Sequence, residues 1–224
     1  MSKKKSAAEP VEYIDSQAFD AAKEKIIGKS HNDKGIGTLS EKTLHAVLKM
    51  YYEPDEDNHE VAIDGYFADI YNEHGIIEIQ TRQLNKLRDK LSVFLNEYQV
   101  RVVYPMPYEK YLSWIEPETG DITSRRKSPK RCSVYDAMFE LYKIKAFLKN
   151  QNLKVTLLLI DMEEYKLLNG WSYDKKRGSV RYDRIPVGGK NDSIRRVRGR
   201  FGVGSKHFSD FVYTCNCKVC RYSF

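Results

Sequence analysis

Two short apolar runs joined by a tight turn constrain the fold of this chain more than any other feature. Residues 66–71 read Tyr-Phe-Ala-Asp-Ile-Tyr, the turn is Asn72-Glu73-His74-Gly75, and residues 76–81 read Ile-Ile-Glu-Ile-Gln-Thr. β-Branched and aromatic residues bounded by turn formers predict paired strands. Residues 61–63, closed by Gly65, add a strand in front, so the segment reads as a three-strand meander. In its last strand Ile77 and Ile79 point one way, while Glu78 and Gln80 point the other.

The elements on either side are helical or fully apolar. Before the meander, Thr38 and Glu41 stand at capping-box spacing, and Leu44, Val47, Leu48 and Tyr51 then share one helical face. After it, Leu84, Leu87, Leu91, Phe94, Leu95 and Tyr98 predict one long amphipathic helix, with Arg88, Asp89, Lys90 and Asn96 on its polar side. Residues 100–104 read as a buried strand stopped by Pro105 and Pro107. Two strands joined by such a helix lie parallel. Residues 110–115 begin a further hairpin through the turn at 117–121, and residues 124–131 form a basic loop. Ser133 and Asp136 cap another helix, which carries Val134, Ala137, Met138, Leu141 and Leu148, and residues 155–160 give a second buried strand.

These elements amount to one mixed α/β domain over residues 36–170. Residues 1–35 read as a flexible arm with one weakly periodic helical stretch, and residues 171–224 as a basic segment of low periodicity, poorly ordered or a small appendage. No apolar run approaches the ~18 residues that span a bilayer. The basic start Met-Ser-Lys-Lys-Lys-Ser has no apolar segment behind it, so the expected setting is cytoplasmic, without membrane contact.

Charge is distributed unevenly. The net +7 arises wholly in residues 171–224, which hold thirteen Lys and Arg against four Asp. A basic segment interleaved with Tyr and Phe suits a polyanion such as nucleic acid, or serves as a solubilising tail. Cys132, Cys215, Cys217 and Cys220 do not form a disulfide framework. The last three, with His207, offer four zinc-ligand types. They form one knot rather than two separated ligand pairs, so a tail of free thiols is the other reading. The glycines at 187–189 and 202–204 lack the strand-then-helix setting of a phosphate loop.

The chemistry concentrates in the meander. Pairing around the 72–75 turn brings Asp69 and Glu78 within a few Å, a repulsive arrangement unless a cation joins them. Two carboxylates plus water suit Mg²⁺ (or Mn²⁺), which takes hard oxygen ligands and activates water against a phosphate. Gln80 shares the face of Glu78 and can orient that water, and Arg82 is a candidate phosphate clamp. In the basic loop, Arg125, Arg126, Lys127, Lys130 and Arg131 can track a phosphate backbone or form an ordinary solvated surface. His45 and His74 read as a helix-face residue and a turn residue. Polar residues alternating with Ile are also what any half-exposed strand shows.

An acidic residue late in one strand followed by Ile-Glu-Ile-Gln in the next resembles the PD-(D/E)XK nuclease superfamily, and the similarity extends over residues 38–104. The resemblance implies a restriction-endonuclease-like α/β core of helix, three-strand meander, helix and strand, with an additional helix and strands. It implies that Asp69 and Glu78 bind the metal, that Gln80 stands where the pattern usually has Lys, and that Glu41 is the accessory acid of the first helix. Ala68 replaces the Pro of the motif. The Gln removes a cation that would orient the nucleophile, which leaves two readings: a metal-dependent nuclease, with DNA as the expected substrate, or a non-catalytic nucleic-acid-binding module on the same fold. A scaffold protein whose basic tail recruits acidic partners is a third.

Overall fold

The computed structural model describes residues 15–32, 42–130, 132–167, 180–187 and 195–199. Glu41 and Thr38 of the expected cap, Arg131, and the tail cysteines with His207 lie outside them. The chain builds a mixed α/β structure around one sheet of eight strands. Two helices, α1 (Ser16–Asn32) and α2 (Lys42–Tyr52), precede a meander of β1 (His59–Ile63), β2 (Tyr66–Asn72) and β3 (Gly75–Ile79). A 3₁₀ turn (Leu84–Leu87) and helix α3 (Arg88–Phe94) lead to β4 (Val100–Ile115), then β5 (Arg126–Lys127). A second 3₁₀ turn (Val134–Ala137), helix α4 (Met138–Lys143) and the strands β6 (Leu153–Leu167), β7 (Val180–Pro186) and β8 (Arg195–Gly199) complete it.

Turn chemistry and crossover length set the pairing. Asp64 and Gly65 both have positive φ, which closes the β1–β2 hairpin with the twist that antiparallel strands favour. Gly75 opens β3 at φ +104°, and a Cβ there would lie 2.3 Å from the carbonyl oxygen of Gln99. Only glycine lets β3 start that close to β4. β3 and β4 run parallel because α3 lies between them, and β4 and β6 run parallel across α4. The sheet separates two cores. On one face Leu84, Leu87, Leu91 and Phe94 pack with Ile76, Val102, Val155 and Leu141; on the other Phe19, Leu44, Val47 and Leu48 pack with Ile70, Ile77, Ile79 and Leu158.

Several sequence expectations need correction. The helix expected over residues 84–98 is split into a 3₁₀ turn and the shorter α3. Its apolar stripe is buried as expected, but Ser92 Oγ donates to the Asp89 carbonyl and Asn96 Nδ2 to that of Ser92, competing with the backbone ladder. Pro105 and Pro107 do not stop β4. The carbonyls of Gln99 and Val103 accept from β3, so odd-numbered β4 residues turn their polar groups to that side, and the two prolines lie beyond Ile79, where β3 has ended. A missing N–H costs nothing on a vacated edge. Part of the basic loop is strand β5, paired with Tyr111 and Leu112.

The segments at both ends also contribute. α1 lies within the expected arm and buries Phe19 completely. β7 and β8 lie beyond residue 170, yet both pair with β6 in the main sheet. Among the described residues each pairs on one side only, with β6. The capping box at Ser133 and Asp136 forms as expected. No helix among the described residues is long and apolar enough to cross a membrane.

Candidate active site

The paired carboxylates stand where the β2–β3 ladder opens. Regular pairing runs from Asn72↔Gly75 through Tyr71↔Ile76 to Ile70↔Ile77, and the next pair in that register is Asp69 opposite Glu78. Here side chains replace the ladder. The Ile79 N–H donates to Asp69 Oδ2 at 2.7 Å, and the Asp69 N–H lies 3.4 Å from Glu78 Oε1. β3 turns from β2 toward β4 at this point, and Gln80 N–H donates to the Val103 carbonyl.

Each carboxylate has a cationic or cation-capable partner from a different helix layer. His45 on α2 places Nε2 3.2 Å from Asp69 Oδ2. Lys90 on α3 places Nζ 3.1 Å and 3.0 Å from the two oxygens of Glu78, and also donates to the Phe67 carbonyl at 2.6 Å. Both acids are covered, with side-chain exposure of 14% for Asp69 and 2% for Glu78. They ionise unequally. Burial pushes Glu78 up, the charge of Asp69 pushes it further, and Lys90 pulls back only part of the way, leaving it at about 7. Burial acts upward on Asp69 too, but hydrogen bonding and charge from His45, the Ile79 N–H and Lys90 bring it below the ordinary carboxylate range. One acid is thus held ionised beside another that exchanges its proton near neutrality.

The remaining candidate residues divide. Gln80 donates its side-chain amide to the carbonyl of Arg82, and Arg82 itself is exposed in the bend after β3. Arg125 lies 3.5 Å from Glu163 and 3.6 Å above the Tyr111 ring, and Lys127 pairs with Glu109 at 2.7 Å. Their partners are acids of the distal sheet, not Asp69 or Glu78. Arg126 stands over Trp114, at 5.5 Å, and Lys130 is exposed. His74 pairs with its neighbour Glu73 in the exposed turn.

Sequence reading missed Lys90 and the role of His45. Lys90 sits on the polar side of an amphipathic helix, where a lysine ordinarily faces solvent. The signal available was the α3 crossover itself, which must pass over β3 on its way to β4. Among the described residues, no three or more His, Cys, Asp and Glu side chains gather as a metal-holding group.

Residues 42–194 match the family described as Domain of unknown function (DUF8091). An uncharacterized protein of Treponema pallidum (strain Nichols) is 32% identical over 148 residues, 66% of this chain and 56% of that protein. The chain therefore spans about half the length of the curated relative it matches. No solved structure matches it.

Proposed function

We propose that this chain, which belongs to the family described as Domain of unknown function (DUF8091), is a metal-dependent nuclease on a restriction-endonuclease-like core, cleaving phosphodiester bonds in nucleic acid, with DNA as the expected substrate. The observation that carries the reading is the pairing of Asp69 and Glu78 at the opening of the β2–β3 ladder, with Glu78 pushed to about 7 by burial and by its neighbour's charge. The order helix, three-strand meander, helix, strand around this pair supports it as well.

The donor set fits a hard divalent cation. Two carboxylates on adjacent strands supply oxygen ligands, and their mutual repulsion leaves an electrostatic deficit that an ion of charge +2 would relieve. Asp69 and Glu78 would hold it, and when bound it would supply an activated water and charge stabilisation at a phosphate oxygen. The chain's own groups have distinct tasks. His45 and the Ile79 N–H fix the orientation of Asp69. Lys90 brings a positive charge to Glu78 from α3, at a site where Gln80 brings none from the strand. Glu78, held near 7, would need to be ionised to serve as a ligand.

One observation favours the non-catalytic reading. Lys90 already engages both oxygens of Glu78, as a cation does in a closed structural ion pair. Plasmid nicking in Mg²⁺ or Mn²⁺, compared with EDTA and with Glu78→Ala, separates the two. Metal-dependent cleavage lost in the variant supports the nuclease. Binding without cleavage under any metal supports the module, and cleavage that survives Glu78→Ala removes the site assignment.

A further inference from the structure

Phe67 is the most exposed large apolar residue of the meander, at 61%, and it stands two residues before Asp69 on β2. Tyr71, the other exposed ring of this strand, meets Tyr98 edge to face at 5.7 Å. Phe67 joins neither core and has no ring partner among the described residues. Its neighbours explain the exposure. Tyr66 packs on Phe94, and Ala68 is buried in the same core beneath α3, so alternation turns Phe67 to the other side of β2. Across the β1–β2 ladder its partner is Ala62, too short to cover a ring.

That side is the one from which α2 approaches the acids. Leu44, Val47 and Leu48 of α2 fill the second core, and His45, next to Leu44, places Nε2 3.2 Å from Asp69 Oδ2. His45 keeps 27% of its side chain exposed and Asp69 14%, so the carboxylate is not sealed off here. Phe67 and Asp69 leave the strand about 7 Å apart. The backbone under the ring is fixed. The Phe67 carbonyl accepts from Lys90 Nζ at 2.6 Å, and the same ammonium engages both oxygens of Glu78. An open ring on a fixed backbone loses little freedom when a flat partner covers it.

We infer that Phe67 stacks on an unpaired base of the nucleic acid that the Asp69–Glu78 site takes, so that the substrate is a single strand or a locally opened duplex. The inference rests on the phosphodiesterase reading of that pair, which brings a phosphate to the carboxylates and a base of the same strand to the ring beside them. An aromatic face accepts any base, because every base has a π-face. A base paired within a duplex offers only its edge, in a groove. Stacking on Phe67 therefore selects strands whose bases are free or are freed at little cost.

The test is fluorescence anisotropy of the full chain with a labelled single strand and with the same sequence as a blunt duplex, at low salt and in EDTA so that nothing is cut. Phe67→Ala is expected to weaken single-strand binding about tenfold and duplex binding by less than about twofold. Phe67→Trp should bind the single strand as the parent does, and its added indole emission should be quenched on binding. Phe67→Leu keeps apolar bulk without a π-face and should behave as Phe67→Ala does. Thermal melting checks that each variant folds. Cleavage in Mn²⁺ is read separately. Absence of cleavage beside a loss confined to the single strand would end the nuclease reading and leave the stacking role standing. A parent that does not bind the single strand would overturn the inference, as would unchanged binding in Phe67→Ala, an equal loss on the duplex, or parental binding in Phe67→Leu. So would self-association of the parent that Phe67→Ala abolishes, because a second copy would then cover the ring.

Discussion

Glu78 and Glu164 are both glutamates on strands of one sheet, and both are almost wholly buried, at 1% and 2% exposure. Their surroundings are opposite. Glu78 has an acid, Asp69, on one side and a single lysine on the other, whereas Glu164 has three cations within 4.0 Å. Burying a carboxylate is costly unless charge and hydrogen bonds compensate it. Compensation falls short at Glu78, where a second acid opposes it, and is stronger at Glu164, where three cations supply it. Under the proposed function the first site would take up a cation, whereas the second is a cluster in which one carboxylate holds three cations. Burial alone does not distinguish them; the charge of their neighbours does.

Four variants probe this contrast, the largest effect first. Glu164→Ala removes the counter-charge from three mostly covered cations and is expected to destabilise by about 3–5 kcal/mol, read from urea unfolding. A loss no greater than an ordinary surface change would break the contrast from that side. Glu78→Gln acts in the reverse direction. The folded-state pKa of Glu78 lies near 7, above the ordinary value of 4.5, so the folded state holds that proton more tightly than the unfolded chain. Its contribution to stability is complete below about pH 4.5 and is lost as pH rises through 7. The Gln variant, which mimics the protonated acid, should therefore be more stable than the parent at pH 8, by at most about 3 kcal/mol. Each kcal/mol appears as about 2–4 °C in a melt at this chain length.

Lys90→Met sharpens the first site. Lys90 is the group that lowers Glu78, so its removal moves the Glu78 pKa further above 7. The acid limb of any metal-dependent cleavage should shift to higher pH, with activity at pH 7 falling about tenfold. An unshifted limb would mean that Lys90 is not coupled to the reacting group. The smallest effect is expected from His45→Asn. The Asp69 pKa is depressed in the folded state, so its stabilisation is present above the unfolded value and fades as pH falls. Losing the His45 contact should reduce stability at neutral pH by about 1 kcal/mol and move the acid-unfolding midpoint upward.

The part of this contrast that strand period governs was legible in the sequence. The turn at 72–75 and the alternation of residues 76–80 were enough to pair β2 with β3 as far as Ile70 and Ile77, just short of Asp69 and Glu78, and to assign Ile77 and Ile79 to a core. Lys90 was not legible, because its partner lies twelve residues earlier in another element and helix amphipathicity alone sends it to solvent. Glu164 was hidden for a different reason. β6 runs to Leu167, well past the apolar run that reveals it, and its charged half is acceptable only because Lys110 and Arg184 lie on the flanking strands. β4 continues past Pro105 because β3 stops short, a fact about the neighbouring strand rather than about the proline.

The central claim, that Asp69 and Glu78 jointly take a divalent cation, is tested most directly by calorimetric titration of Mn²⁺ at pH 7 in two buffers of different ionisation enthalpy. The account predicts saturable binding of one ion with net proton release, because Glu78 is partly protonated near its value of about 7 and must ionise to bind. Glu78→Gln should abolish both the binding and the proton release. Saturable binding that survives this substitution, or no binding to the parent protein at all, would contradict it.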